Sequence, residues 1–83
     1  MVYRNRYEIL ASILRSAANE KSGLGLTKLM YYSYLSYPQI IQFVKELVAY
    51  DLLAYEPHNK KYKVTKKGLK FLSIEDSLAE LLR

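Results

Sequence analysis

Lysines 60, 61, 63, 66, 67 and 70, with His58 beside them, occupy the segment from Pro57 to Phe71 without a single carboxylate among them. The chemistry open to such a run is electrostatic: clustered ammonium groups attract a polyanion and displace its condensed counterions. The whole chain is basic as well, with thirteen Lys and Arg against eight Asp and Glu, a net charge of +5 and a pI near 9.5. Most of the acids lie elsewhere, Glu75, Asp76 and Glu80 gathering near the C-terminus. A one-signed segment beside a balanced remainder has the form of an electrostatic footprint. A solubilising face is the alternative that charge alone leaves open.

Covalent chemistry has little to work with. His58 is the only imidazole, and a turn beside Pro57 is a poor place for a buried general base. With no cysteine and one histidine, neither a thiolate zinc site nor a multi-histidine site can form within one chain. Gly23-x-Gly25 is too short for a phosphate-cradling loop. Glu75, Asp76 and Glu80 read as the solvated face of a helix. The chain therefore reads as a non-enzyme with no cofactor and no metal.

Eighty-three residues, 51% of them hydrophobic and 25% charged, make one ordinary globular domain spanning 1–83. No apolar run approaches the roughly 18 residues that span a bilayer. The opening MVYRNRYEIL has no apolar core of leader length. A cytoplasmic protein without a membrane partner is the expectation.

The elements that would position the basic segment can be read in order. Over Arg6–Asn19 the polar residues Glu8, Ser12, Arg15, Ser16 and Asn19 share one arc, while Tyr7, Ile9, Leu10, Ala11, Ile13, Leu14, Ala17 and Ala18 fill the rest. Asn5 with Glu8 has capping-box spacing, and Ser22-Gly23 closes the segment. Leu24-Gly25-Leu26 has room for a turn or one brief strand. Thr27 is a candidate N-cap for a short helix Lys28–Tyr32. After Ser33-Tyr34-Leu35, Ser36 and Gln39 form a second box ahead of a helix Tyr37–Tyr50, whose Ile40, Phe43, Val44 and Leu47 make an inward stripe. Leu53–Glu56 and Lys61–Val64 read as strands joined by Pro57-His58-Asn59-Lys60, with Asn59 the residue suited to positive φ. Thr65 caps a last helix, Lys66 to about Leu82, in which Gly68 permits close approach to the sheet. Three helices, a hairpin and a helix, with a short connection between the second and third, is the winged helix-turn-helix order.

That order assigns roles. The second helix of a helix-turn-helix presents its outward N-terminal residues to the major groove, here Tyr37, Gln39, Ile41, Gln42 and Lys45. Glutamine can pair with an adenine edge, and Ile41 can meet a thymine methyl. For Gln39 the alternative is the cap itself, and for Ile41 a protein-partner surface. Thr27 and Ser36 stand at helix starts, where backbone N–H groups favour a phosphate, with Lys28 adjacent. His58, Asn59, Lys60 and Lys61 form the wing that would contact the sugar–phosphate backbone or a minor groove.

The run Leu29-Met30-Tyr31-Tyr32-Ser33-Tyr34-Leu35-Ser36-Tyr37-Pro38-Gln39 resembles the helix-turn-helix signature of small archaeal winged-helix regulators. Tyr62-Lys63-Val64-Thr65-Lys66-Lys67-Gly68-Leu69-Lys70-Phe71-Leu72 resembles their junction from strand to final helix. Over nearly its whole length the chain is similar to the archaeal ten-kilodalton winged-helix chromatin proteins, whose last helix pairs with a second subunit. The resemblance implies double-stranded DNA as partner, a homodimer, and a nucleoid-associated place in the cytoplasm. Two positions depart from it. Asp51 stands where such sequences usually have Gly before Leu-Leu, though aspartate tolerates the left-handed conformation. Ser73-Ile74-Glu75-Asp76 could cap a fresh helix after a break.

Two sets of apolar residues remain. Leu69 and Leu72 are expected to face the domain. Phe71, Ile74, Leu78 and Leu81 follow a 3-4-3 spacing and would form a dimer seam, or else fold back on the first helix. Of nine tyrosines, Tyr31, Tyr32, Tyr34 and Tyr37 bracket the tight turn. Stacking on single-stranded bases would use such rings, but packing into the core and its edge is the expectation for all but Tyr37. The combined reading is a mainly α winged helix-turn-helix protein with a small β-hairpin and a C-terminal dimerisation helix (66–82). It would bind DNA as a transcription regulator or architectural chromatin protein. The rival class is a winged helix that binds a protein through Ile41 and the tyrosines, with the lysines only solubilising.

Overall fold

A computed structural model describes residues 5–82; the two ends of the 1–83 domain, including the first residues of the opening MVYRNRYEIL, lie outside them. The chain runs α1 (Arg6–Ala18), α2 (Leu26–Ser33), α3 (Tyr37–Ala49), β1 (Leu53–Glu56), β2 (Lys61–Val64) and α4 (Lys66–Leu81). Both expected strands have the bounds read from the sequence, and the helices differ from that reading at their ends by up to two residues.

Local chemistry explains the boundaries. Asn5 and Glu8 make a reciprocal capping box that starts α1. Ser36 and Gln39 do the same for α3: the Ser36 N–H donates to Gln39 Oε1 at 2.9 Å and Ser36 Oγ accepts from the Gln39 N–H. Thr27 is not a cap. Helix α2 begins one residue before it, with Gly25 in extended conformation at the N-cap and no side chain bonded there, so Thr27 lies inside the first turn. α3 closes in a Schellman motif: Leu52 N–H donates to Leu47 O, Asp51 N–H donates to Val48 O, and Asp51 takes φ +63° in the place expected for it. Lys67 Nζ donates to the Tyr50 carbonyl at 2.8 Å, so one lysine of the basic run serves to close α3. In the wing turn Lys60, rather than Asn59, takes the positive φ, at +56°. The turn spends its left-handed residue where the chain re-enters β2.

The core is a single cluster. Leu10, Ala11, Ile13, Leu14 and Ala17 of α1 meet Leu29 of α2, Ile40, Val44 and Leu47 of α3, Leu24, Leu52 and Leu53, and Leu72 of α4. The hairpin is antiparallel in the register Leu53↔Val64, Ala54↔Lys63, Tyr55↔Tyr62, Glu56↔Lys61. Leu24 adds one rung on the far side of β2, exchanging both backbone hydrogen bonds with Tyr62 at 3.0 and 2.8 Å. The brief strand read at Leu24-Gly25-Leu26 is thus one residue long. Gly23, at φ +83°, ends the preceding turn with its α-carbon so close to Tyr62 that a Cβ would lie 2.4 Å from that carbonyl oxygen.

α4 is continuous through Ser73, so the break at Ser73–Asp76 does not occur. Thr65 caps it, accepting from Gly68 N–H while donating to the Asp51 carbonyl. Gly68 packs against the Leu52 carbonyl and the Val64 side chain, the close approach expected of it. That approach sets which side of α4 faces the domain: Gly68, Phe71, Leu72 and Glu75 lie toward it, and Leu69, a quarter turn away, is exposed rather than packed.

Candidate nucleic-acid interface

At about 100° per residue, the buried line of α3 through Ile40, Val44 and Leu47 leaves Gln42 at the centre of the opposite face, with Lys45 beside it. Both are exposed, as is Tyr37 in the first turn. Ile41 is half-buried and not outward as expected. It and Phe43 flank the buried line on opposite sides, so neither is fully in nor fully out. Gln39 is exposed, but its side-chain carbonyl is held in the cap by the Ser36 N–H.

The structure joins two groups that are far apart in sequence. Lys61 on β2 and Thr27 and Lys28 in the first turn of α2 line one shallow pocket of about 210 Å³, with the backbone of Gly23–Leu26 completing it. The Leu24–Tyr62 rung holds them there. Gly25 lies so close to the wing that a Cβ on it would meet the Lys60 carbonyl at 3.9 Å. Two lysines thus line one pocket with the start of a helix, an arrangement with the polarity of an anion site. Sequence spacing could not have joined them; only the single rung at Leu24 does. His58, Asn59 and Lys60 are exposed at the wing tip. The register also sets Glu56 opposite Lys61, an acid that the carboxylate-free count of 57–71 left out.

Two of the four arginines, Arg6 and Arg15, are engaged elsewhere. Arg6 pairs with Glu46, tying α1 to α3, and Arg15 with Asp76, tying α1 to α4. Exposed pairs of this kind contribute little to stability, but they take both guanidinium groups away from the wing. Among the described residues no cluster of His, Asp and Glu is disposed to hold a metal, and no helix is long and apolar enough to cross a membrane.

On α4, Ile74 and Leu78 are 54% and 52% exposed and Leu81 more so, while Phe71 is half-buried against the core. Ile74, Leu78 and Leu81 therefore do not fold back on α1. The apolar line of α1 instead runs out to Tyr7, which is exposed where burial was expected, because the first turn of α1 overhangs an open groove. Tyr7, Phe71, Ile74, Leu78, Ala79 and Leu82 line that groove, of about 460 Å³.

The largest departure from expectation is the tyrosines. Tyr31, Tyr32 and Tyr34 are exposed instead of filling the core edge, while Tyr37 is exposed as expected. The inward positions of α2 are taken by Leu29 and Ser33, one turn apart, which leaves Tyr31 and Tyr32 outside. The signal was present as a small residue set between tyrosines at the helical spacing from Leu29.

A sequence profile described as winged helix-turn-helix matches residues 3–83. Among solved structures, Sso10a-2, described as a DNA-binding protein from Sulfolobus solfataricus, aligns with a TM-score of 0.71 at 24% identity. The alignment covers 96% of this chain and 98% of that one. At that identity the likeness establishes the shared fold. No curated protein sequence matches.

Proposed function

This chain belongs to the winged helix-turn-helix family, and from that premise we propose that it binds double-stranded DNA without catalysing a reaction. It acts as a transcription regulator or an architectural chromatin protein of the cytoplasmic nucleoid. The observation that carries the reading is the pocket shared by Lys61, Thr27 and Lys28 beside the start of α2, on a chain of net charge +5. A phosphate anchored there fixes the domain on the duplex. Helix α3 then lies in the major groove with Gln42 toward the base edges and Tyr37, Ile41 and Lys45 around it. Gln39 and Ser36 contribute from the capped first turn. His58, Asn59 and Lys60 at the wing follow the backbone. The DNA-binding description of the Sulfolobus solfataricus protein of the same fold supports the same partner.

A second copy of the chain is part of this reading. Phe71, Ile74, Leu78 and Leu81 form the seam, and the exposed groove between α4 and the first turn of α1 supports it.

Two variants test the division of labour. Lys60→Ala with Lys61→Ala weakens binding to every duplex alike and makes the salt dependence shallower by about one unit per lost contact. Gln42→Ala alters preference between sequences by about 1–3 kcal/mol at one base pair where the contact is bidentate. If Gln42→Ala leaves all duplexes equally bound, the protein is an architectural binder. If neither variant changes duplex affinity, the interface lies elsewhere.

A further inference from the structure

Four tyrosines stand exposed within seven residues at the turn between α2 and α3: Tyr31 at 67%, Tyr32 at 55%, Tyr34 at 89% and Tyr37 at 58%. Among the described residues none of the four is found in a ring pair; the aromatic contact there, centroids 4.8 Å apart, joins Tyr55 to Tyr62 in the wing. Tyr34 is the most telling. Tyr34 N–H donates to the Tyr31 carbonyl and Leu35 N–H to the Met30 carbonyl, so Tyr34 occupies the left-handed position of a Schellman closure, at φ +57° and ψ +41°. Glycine is the default residue there, because a Cβ is disfavoured in that conformation. A bulky ring at a strained backbone position that then buries almost none of itself contributes nothing to packing. Its benefit has to lie outside the folded chain.

We propose that Tyr31, Tyr32, Tyr34 and Tyr37 form a stacking surface for the unpaired bases of single-stranded DNA. Charge selects that occupant. From Lys21 to Lys45 the chain contains no Asp or Glu while carrying Lys21, Lys28 and Lys45, so the rings sit in a segment of one sign. Lys28 lies on the same face of α2 as Tyr31 and Tyr32, at i, i+3 and i+4. Flat aromatic faces beside ammonium groups suit a ligand that presents bases and phosphates together, and every base has a π-face for them. A duplex hides those faces. Single-strand binding is therefore a second activity, placed beside the duplex-binding face of α3 and sharing Tyr37 with it, while Tyr31, Tyr32 and Tyr34 belong to the single-strand surface alone.

The absence of tryptophan leaves tyrosine emission unobscured as a probe. A thymidine oligomer of about 12 nucleotides and an abasic strand of the same length carry the same phosphates and differ only in bases. The thymidine oligomer is expected to quench tyrosine emission and to bind about tenfold or more tighter than the abasic strand. Tyr31→Ala with Tyr34→Ala brings its affinity down to the abasic level, whereas Tyr31→Phe with Tyr34→Phe, which keeps the rings, retains it. Far-UV circular dichroism checks that both variants fold. Equal binding of the two strands, or unchanged thymidine binding in the alanine variant, overturns the proposal. A uridine RNA oligomer bound tighter than the DNA overturns its assignment to DNA. Duplex binding measured on the same samples reports separately on the duplex-binding reading through Gln42, Lys60 and Lys61.

Discussion

Replacing Gly68 by alanine sets two opposing effects on one residue. Gly68 lies in the first turns of α4, where helix propensity alone favours alanine by about 1 kcal/mol. Packing argues the other way. A Cβ would lie 2.4 Å from the Leu52 carbonyl oxygen and 2.6 Å from Val64 Cγ2, short of ordinary contact by about 1 Å. The carbonyl cannot swing aside freely, because it accepts from the Thr65 N–H at 3.1 Å and from Thr65 Oγ1 at 3.2 Å. Overpacking of this sort costs about 1–3 kcal/mol, and loosening one of those hydrogen bonds costs about 1 kcal/mol more. Set against the propensity gain, the net loss is about 2 kcal/mol, a fall in Tm of roughly 8–16 °C for a domain of this size. Thermal unfolding followed by circular dichroism reads it. Gly25→Ser is the control, since the nearest atom to its Cβ lies 3.9 Å away and serine supplies the missing cap, for a gain of a few tenths of a kcal/mol. A Gly68→Ala protein as stable as the wild type would refute the argument that close approach at Leu52 and Val64 fixes the seating of α4 under the wing.

Other outcomes follow from the same structure. Ile74 and Leu78 are each about half exposed, so burying the remainder against a second copy contributes roughly 1 kcal/mol per side chain; Ile74→Glu with Leu78→Glu is expected to yield a monomer in sedimentation. A double variant that stays dimeric moves the seam elsewhere, and a wild type already monomeric at micromolar concentration removes it. Burial, and after it the neighbouring Tyr55, raises the Tyr62 phenol above its ordinary value near 10. The folded state thus favours the neutral phenol, and its contribution is complete below about pH 10 and is lost as the pH rises from there through the raised folded value. Tyr62→Phe should lose less stability than the wild type between about pH 9 and about pH 11; equal losses would contradict that assignment.

The elements were legible because their signals are local. Both capping boxes, the Thr65 cap, the left-handed Asp51 and the two strands depend on residues within a few positions of each other, and each stands where the sequence reading put it. What escaped that reading depends on rotation and on long-range contact. Leu69 and Leu72 both look inward by spacing, yet the close approach at Gly68 turns α4 so that Leu72 alone is buried. Ile41 and Phe43 look like opposite cases and prove to be two flanks of one buried line. Thr27 looked like a cap because threonine prefers that role, while the extended backbone at Gly25 opened α2 earlier. The union of Lys61 with Thr27 and Lys28 depends on the single rung between Leu24 and Tyr62, which no sequence pattern marks. Tyr31, Tyr32 and Tyr34 are expected at the core edge because amphipathic rings beside a tight turn often fill a small core. The small Ser33 at an inward position was the sign that they lie outside.

The central claim, that this chain binds duplex DNA through its basic face, is tested most directly by a salt titration of binding to a random duplex. Neutralising about four to six phosphates per subunit predicts that log K falls against log salt with a slope of roughly −4 to −5 per subunit. Flat salt dependence, or no binding at low salt, would contradict it and turn the exposed surface of α3 toward a protein partner.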